Sequence, residues 1–401
     1  MPLLPVAAAL AEVLSGIATP DEEHVSIFEA DRRVLTRDLA AKHTQPPFAS
    51  SAMDGYAIYG DGGGSIGACW TVVGESAAGC GFAGAVRPGE AVRIFTGAPV
   101  PAGCGTVVIQ EDVTRDGDVI VATDTTAPGA NIRGAGSDFS EGDVLFQRGT
   151  RLDARRVTLA AAMGYGEVPV ARRPVVAILA TGDELVAPGI VPGPDQIVSS
   201  NPAGIAALVT RAGGVARLLG IAPDNMDALR TQIAEARSAD ILITIGGASV
   251  GDRDLVGPAL EEEGTVFAFR KVALRPGKPL MFGRLGATRV LGLPGNPVSA
   301  LITARIFAVP LIRALLGEPT ESETRETAIL TQALDANGPR LHLMRARLGR
   351  DAAGALTVTP MASQDSSLLA ILVEADGLIW REPGAGRAAP GDPVAIVRLE
   401  S

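Results

Sequence analysis

The chain has 401 residues, 47% of them hydrophobic and 20% charged, a soluble globular mixture too long for one core, so roughly two to four domains are expected. A net charge of −10 speaks against a nucleic-acid partner. Three cysteines without a CxxC pair argue against a disulfide framework, and three histidines give poor support to a zinc site or a Ser-His-Asp triad. Chemistry must then fall to carboxylates, lysines, arginines and backbone amides. Of the 35 basic residues only three are lysines, Lys42, Lys271 and Lys278, and two of those share the segment RKVALRPGKP.

The opening MPLLPVAAALAEVLSGIA looks like a signal peptide, but no positive charge precedes the apolar run and Glu12 falls within it; a helix over about 4–17 fits better. No window reaches the ~18 uninterrupted apolar residues of a membrane span, so a cytoplasmic location is the default. DRRVLTRDLA reads as strand or turn. A Gly-rich stretch to about residue 135 carries the strands WTVVGES, EAVRIF, GTVVIQ and VIVATD. EGDVLFQRGTRL is strand-like and LDARRVTLAAAMG helical. From about 173 to 317 strands and helices alternate: PVVAILATG, a helix with Asn201 as N-cap and Pro202 first, VARLLGIA, a helix through Met226, Leu229, Ile233 and Ala236, then ADILITIGG. That alternation predicts a parallel, doubly wound sheet, which binds ligands beyond the carboxyl ends of its strands. RETAILTQAL, LHLMRARLGR, ALTVTPM, DGLIW and DPVAIVRLE predict a small C-terminal β-barrel or sandwich.

The suspicious loops fall at strand ends. In ITIGGASVGDRD, Gly246, Gly247, Ser249 and Gly251 let backbone N–H groups cradle an oxyanion, or simply make a tight turn. Asp254 is placed to ligate a cation held against that anion. Asp183 and Glu184 end the first strand and Asp224 follows the next; each is alternatively a helix cap. Carboxylates on one rim favour a hard ion, Mg2+ over zinc. Arg270, Lys271, Arg275 and Lys278 have no acid between them, so either an anion or solvent must compensate them. LPGNPVSALI is a rigid loop entering a helix, whose N-terminus favours anions. Met53-Asp54-Gly55-Tyr56 reads as a turn, and RIFTGAPVPAG as a strand running into a stiff Pro/Gly loop.

Together PPFASSAMDGYAI, RIFTGAPVPAG, NIRGAGSDFSEGD, ATGDELV, TIGGASVGDRD, RPGKP and LPGNPVSA resemble, in this order, the MoeA family of molybdopterin molybdenumtransferases, whose animal relative is the E domain of gephyrin. The resemblance runs over the whole chain, weakest beyond residue 320. It implies a multidomain α/β fold: an α/β platform (1–47 and 137–172), an inserted β-rich lobe (48–136), a central doubly wound molybdopterin-binding α/β domain (173–320) and a C-terminal small β-barrel (321–401). It implies a homodimer with a cleft between one subunit's central domain and the partner's lobe. Molybdate and Mg2+ would meet adenylyl-molybdopterin there, with release of AMP. By matched position, Asp54, Glu184, Asp254, Lys271 and Lys278 are the implied catalytic residues, with Glu184 and Asp254 on the metal. Thr96, Asp138, Asp224, Gly246, Gly247, Ser249, Gly251, Arg275, Pro294, Pro297, Arg345 and Ser366 would bind substrate. The family often has Lys where this chain has Arg275, which keeps the charge and changes the geometry. Transient contacts with the upstream adenylyltransferase and with molybdoenzymes or their chaperones would accompany this role; nucleic acid and membrane are not expected partners. The upstream adenylyltransferase activity, a gephyrin-like scaffold and a tungstate-handling paralogue are the alternatives.

Overall fold

The structure, a computed structural model, describes residues 3–247, 255–319 and 324–399. Its chain forms two compact units, His24–Val170 and a larger one of Met1–Glu23 with Ala171–Ser401. Helix α1 (Val6–Leu14) belongs to the larger unit.

Within His24–Val170, the lobe is a six-stranded sheet of β1 (Gly55–Tyr59), β2 (Cys69–Ser76), β3 (Glu90–Ile94), β4 (Cys104–Ile109), β5 (Val113–Asp116) and β6 (Val119–Ala122). Their spatial order is β4-β1-β3-β2-β6-β5. Alternation puts Tyr56, Ile58 and Val108 in one cluster, and Ala57, Ile94 and Val107 in another. A second core gathers Leu35, Leu39, Phe139, Phe146, Leu152 and Met163, so chain on both sides of the lobe packs together. Here α2 (Ala154–Ala162) starts at Asp153, whose carboxylate accepts the Arg156 N–H at 2.9 Å.

The larger unit holds the predicted α/β alternation. It contains β7 (Val175–Thr181), α3 (Asn201–Ala212), β8 (Val215–Ala222), α4 (Met226–Ala236), β9 (Ile241–Ile245), α5 (Val256–Glu262), β10 (Val266–Phe269), β11 (Leu274–Arg275), β12 (Met281–Leu285), β13 (Thr288–Leu293), α6 (Pro297–Thr303) and α7 (Val309–Leu315). The sheet order is β8-β7-β9-β13-β12-β10; the first four strands are parallel, and β12 and β10 close the edge antiparallel. α4 and α5 share a core with Ala177, Leu179 and Leu242, while α3, α6 and α7 pack with one another. The chain runs from β7 out to β8, then back past β7 to β9. Between β7 and β9 the winding therefore reverses, the place where doubly wound sheets open a crevice. The helical stretch Pro297–Leu315 is long and apolar enough by composition to cross a membrane, but 61% of it is buried in this core.

After it, β14 (Glu326–Leu330), β15 (Leu341–Arg350), β16 (Leu356–Pro360), β17 (Gly377–Arg381) and β18 (Pro393–Arg398) form a barrel closed by pairing of β15 with β17. Strand β11 joins it beside β15.

Residues 1–23 depart from the expected platform. Leu4 bridges Val272, α1 packs on α7, and guanidiniums from the central sheet take its last carbonyls. Arg289 donates to Val13 O and Ser15 O at 2.9 and 2.8 Å, and Arg284 donates to Ser15 O at 2.8 Å. A helix carboxyl end exposes unpaired carbonyls and partial negative charge, and two cations satisfy both.

Candidate functional site

The parallel register aligns the strand ends of the larger unit. Thr181 stands opposite Ala222, Ala180 opposite Ile245, and Ile245 opposite Leu293. The segments Gly182–Glu184, Pro223–Asp224, Gly246–Gly247 and Pro294–Pro297 therefore sit side by side on one rim. At the switch point Gly246 has φ +95°, and a Cβ there would stand 2.8 Å from Thr181 O. The close approach of two backbones is what requires glycine.

The capping alternative does not hold for the acids. Asn225, not Asp224, caps α4, accepting the Ala228 N–H at 2.9 Å. Asp183 precedes no helix; its carboxylate accepts the Asp224 N–H at 2.9 Å. Glu184 folds its carboxylate over Gly182, where an added Cβ would meet it at 2.6 Å. All three carboxylates are exposed, and Asp224 is shifted upward from the ordinary range by partial burial and by the negative charges of Asp183 and Glu184. Among the described residues no three His, Cys, Asp or Glu side chains converge tightly enough to hold a metal alone. Mg2+ suits such a rim, because it keeps several waters and takes one or two carboxylates plus substrate phosphates. Ser249, Gly251 and Asp254 lie outside the described residues.

The cationic segment divides. Arg270 is not uncompensated: it pairs with Glu261 and stacks over Phe267 at 4.4 Å. Lys271, Arg275 and Lys278 make no ion pair or side-chain hydrogen bond among the described residues, and Arg275 and Lys278 are exposed. The Lys278 carbonyl accepts from Val272 N and Leu280 N, each at 3.0 Å. Gly277 has φ +107°, and its missing Cβ leaves room for Thr303, which a methyl would meet at 2.3 Å.

The loop before α6 is braced from two sides. Asn201 is the first residue of α3 rather than its cap, and its amide donates to Gly295 O at 2.7 Å. Asn296 donates to the Ser366 hydroxyl at 2.9 Å, and Val298 N donates to Ser366 O at 3.1 Å. Pro294 and Pro297 are thus pinned next to Ser366. Arg345 is only 1% exposed and donates to the carbonyls of Leu368, Ser363 and Asp365 at 3.0, 3.2 and 2.8 Å. In this structure it shapes the loop that carries Ser366. The bracing roles of Asn201, Asn296 and Gln364, whose amide brackets Arg345, escape sequence reasoning because each acts through a partner that is not local in the chain.

In the other unit, one Asp54 oxygen accepts both the N–H and the hydroxyl of Thr96, at 2.7 and 2.8 Å. Those bonds, backbone first, hold its carboxyl below the usual range. Gly55 is obligatory, since a Cβ would stand 2.0 Å from Val108 O. Arg93 lies over Tyr56 and Phe95 at 5.0 and 4.9 Å and donates to Gly55 O at 3.1 Å. Asp138 is exposed on a later turn, and no hydrogen bond joins it to this pair among the described residues.

Family models match three consecutive blocks: the MoeA N-terminal region (domain I and II) over residues 4–164, a probable molybdopterin binding domain over 177–314, and the MoeA C-terminal region (domain IV) over 327–399. A molybdopterin molybdenumtransferase of Haemophilus influenzae is 35% identical over 399 residues, 98% of each chain. A protein of the same name from Nostoc is 40% identical over 305 residues, covering 74% of this chain and 70% of its own. The solved structure of a molybdopterin biosynthesis moeA protein from Pyrococcus horikoshii superposes with TM-score 0.84 at 27% identity, over 99% of this chain and 100% of its own.

Proposed function

Because this chain belongs to the MoeA family of molybdopterin molybdenumtransferases, enzymes that insert molybdenum into molybdopterin, we propose that its substrates are molybdate and adenylyl-molybdopterin, with AMP released. The observation that carries this reading is the aligned rim of the larger unit. Exposed carboxylates stand on the ends of β7 and β8, glycine turns follow β9, and a braced Pro-Gly-Asn-Pro loop follows β13.

Two anions must meet there, and their repulsion is the first barrier. Lys271, Arg275 and Lys278 supply unpaired cations for the oxyanion and the phosphates. Gly246 makes the turn, its own N–H taken by Leu293 O at 3.2 Å, and Gly247 offers a backbone N–H to a phosphate, while Pro294, Pro297 and Ser366 give a fixed wall that orients the pterin end. Glu184 would hold Mg2+, with Asp254 as second ligand; Mg2+ supplies charge neutralisation at the phosphates. Asp54, kept anionic by Thr96, acts as a fixed negative group, with Asp138 beside the substrate. Asp224 orients substrate on the rim, and Arg345 serves through Ser366. We further propose a cytoplasmic homodimer whose cleft draws Asp54 from one chain and Asp254 from the other.

The deciding experiment is AMP release from adenylyl-molybdopterin with and without molybdate and Mg2+. Dependence on both is expected. Equal release under chelation would remove the metal, and consumption of ATP with molybdopterin would favour the adenylyltransferase. Mixing Asp54→Ala with Asp254→Ala should restore part of the activity through heterodimers; no rescue after proven subunit exchange would put a complete site in each chain.

A further inference from the structure

We propose that the end of the C-terminal barrel where Arg275, His342 and Arg381 lie abreast is an oxyanion-binding site, whose occupant is a tetrahedral oxyanion of the phosphate class. Strand register carries the geometry. His342 on β15 is the direct partner of Arg275 on β11 and of Arg381 on β17, so three successive strands present three basic side chains on one face. Met344, Ala346 and Leu348, the next residues of that face on β15, point into the barrel core together with Ile379. The row therefore sits at the end of that core, running from buried Arg381 through His342, 8% exposed, to exposed Arg275.

Arg275 and Arg381 flank the imidazole on either side, and a buried charge such as that of Arg381 ordinarily finds a counter-charge. None is present here among the described residues. Arg381 spends one nitrogen on the carbonyls of Asp335 and Gly386. Arg340, at the mouth of the same end, reaches only the Leu274 carbonyl at 3.5 Å. The neighbouring acids are engaged elsewhere: Glu382 takes Arg325 and the Trp380 N–H, and Asp335 faces Arg387. The imidazole of His342 has no hydrogen-bond partner among the described residues. Burial, with Arg275, Arg340, Arg381 and Arg345 around it, lowers its pKa to about 4, so at neutral pH the cluster keeps its cations and one neutral imidazole. An oxyanion would supply the missing negative charge and give the imidazole a partner. The site shares Arg275 with the substrate-binding set proposed above and does not depend on that reaction being right.

The test uses the whole protein labelled at its histidine imidazoles. His342→Gln identifies the His342 signal among the three histidines. Titration with inorganic phosphate should move that signal to saturation and raise the His342 pKa towards the ordinary imidazole range. Phosphate affinity should fall about tenfold in Arg275→Gln and in His342→Leu, the scale for losing a charge-assisted hydrogen bond or its neighbour. An immobile His342 signal in excess phosphate, or equal affinity in Arg275→Gln, overturns the proposal. Arg275 is exposed, so that arm stands even where His342→Leu does not fold. Competition by AMP would assign the site to a substrate phosphate, and indifference to AMP would assign it to a free ion.

Discussion

Asp54 and Asp224 are both aspartates in strand-end turns, and their surroundings push them in opposite directions. Two hydrogen bonds from Thr96 stabilise the charged form of Asp54, while partial burial and the charges of Asp183 and Glu184 disfavour it in Asp224. The lobe presents an anion that is already settled. The rim of the larger unit presents crowded negative charge that a cation would relieve. A carboxylate given donors is held in its charged form; carboxylates given each other are pushed towards the neutral one.

The largest expected effect follows from removing either kind of charge. Asp54→Asn and Glu184→Gln should each lower turnover of adenylyl-molybdopterin by ~10²-fold or more while keeping a cooperative thermal melt, as when a catalytic electrostatic partner is stripped. Full activity in Glu184→Gln would return the rim acids to ordinary surface groups and end the contrast.

Thr96→Val separates the two donors to Asp54. The backbone N–H remains and the hydroxyl goes, so turnover should fall about tenfold, the scale of one charge-assisted hydrogen bond. The Asp54 pKa should rise, because the lost bond favoured the anion, and the acid limb of the pH–rate profile should move up with it. An unmoved acid limb would show that Asp54 is not the group whose ionisation the profile reports.

Cation binding probes the other side. Asp224 holds its proton more tightly in the folded chain than an ordinary aspartate does. Its contribution to stability is therefore present at low pH and is lost as pH rises through its raised value. Near neutral pH, Mg2+ should relieve that repulsion and raise the melting midpoint by about 2 °C or more. Glu184→Gln should abolish the increment. A Mg2+-independent midpoint in wild type would argue that the rim does not hold the ion without substrate.

How much of this was legible from the residues depends on the range of the interaction. Apolar runs ending in glycine located β7, β9 and the rim, because periodicity and turn chemistry are local. The glycines of Met53-Asp54-Gly55-Tyr56 and Arg-Pro-Gly-Lys-Pro were visible, but the atoms that forbid a side chain, Val108 O and the Thr303 methyl, were not. What residues 1–23 pack on is not legible locally, because their anchors, Arg284 and Arg289, are about 270 residues away. Arg270 has no acid beside it in its own segment, and Glu261 meets it from the preceding helix. The same reason hides the brace from Asn296 to Ser366.

The smallest effect tests whether geometry matters as well as charge. Arg fills all but three basic positions of this chain, yet Lys stands at 278. The Lys278 carbonyl is fixed by Val272 N and Leu280 N, and Gly277 is locked beside Thr303, so the backbone cannot shift to accommodate a longer side chain. A compact ammonium approaches a small oxyanion more closely than a planar guanidinium does. Lys278→Arg should therefore lower turnover several-fold at limiting molybdate while keeping the charge. Lys42→Arg is the control: its ammonium sits 4.0 Å over the Tyr165 ring, a place a guanidinium also fills by stacking, and turnover should not change. If Lys278→Arg matches wild type while Lys278→Ala fails, charge alone suffices at this position, and Arg275 then needs no geometric explanation. If Lys278→Ala is also silent, the segment is a solvated face and the rim binds its anion without it.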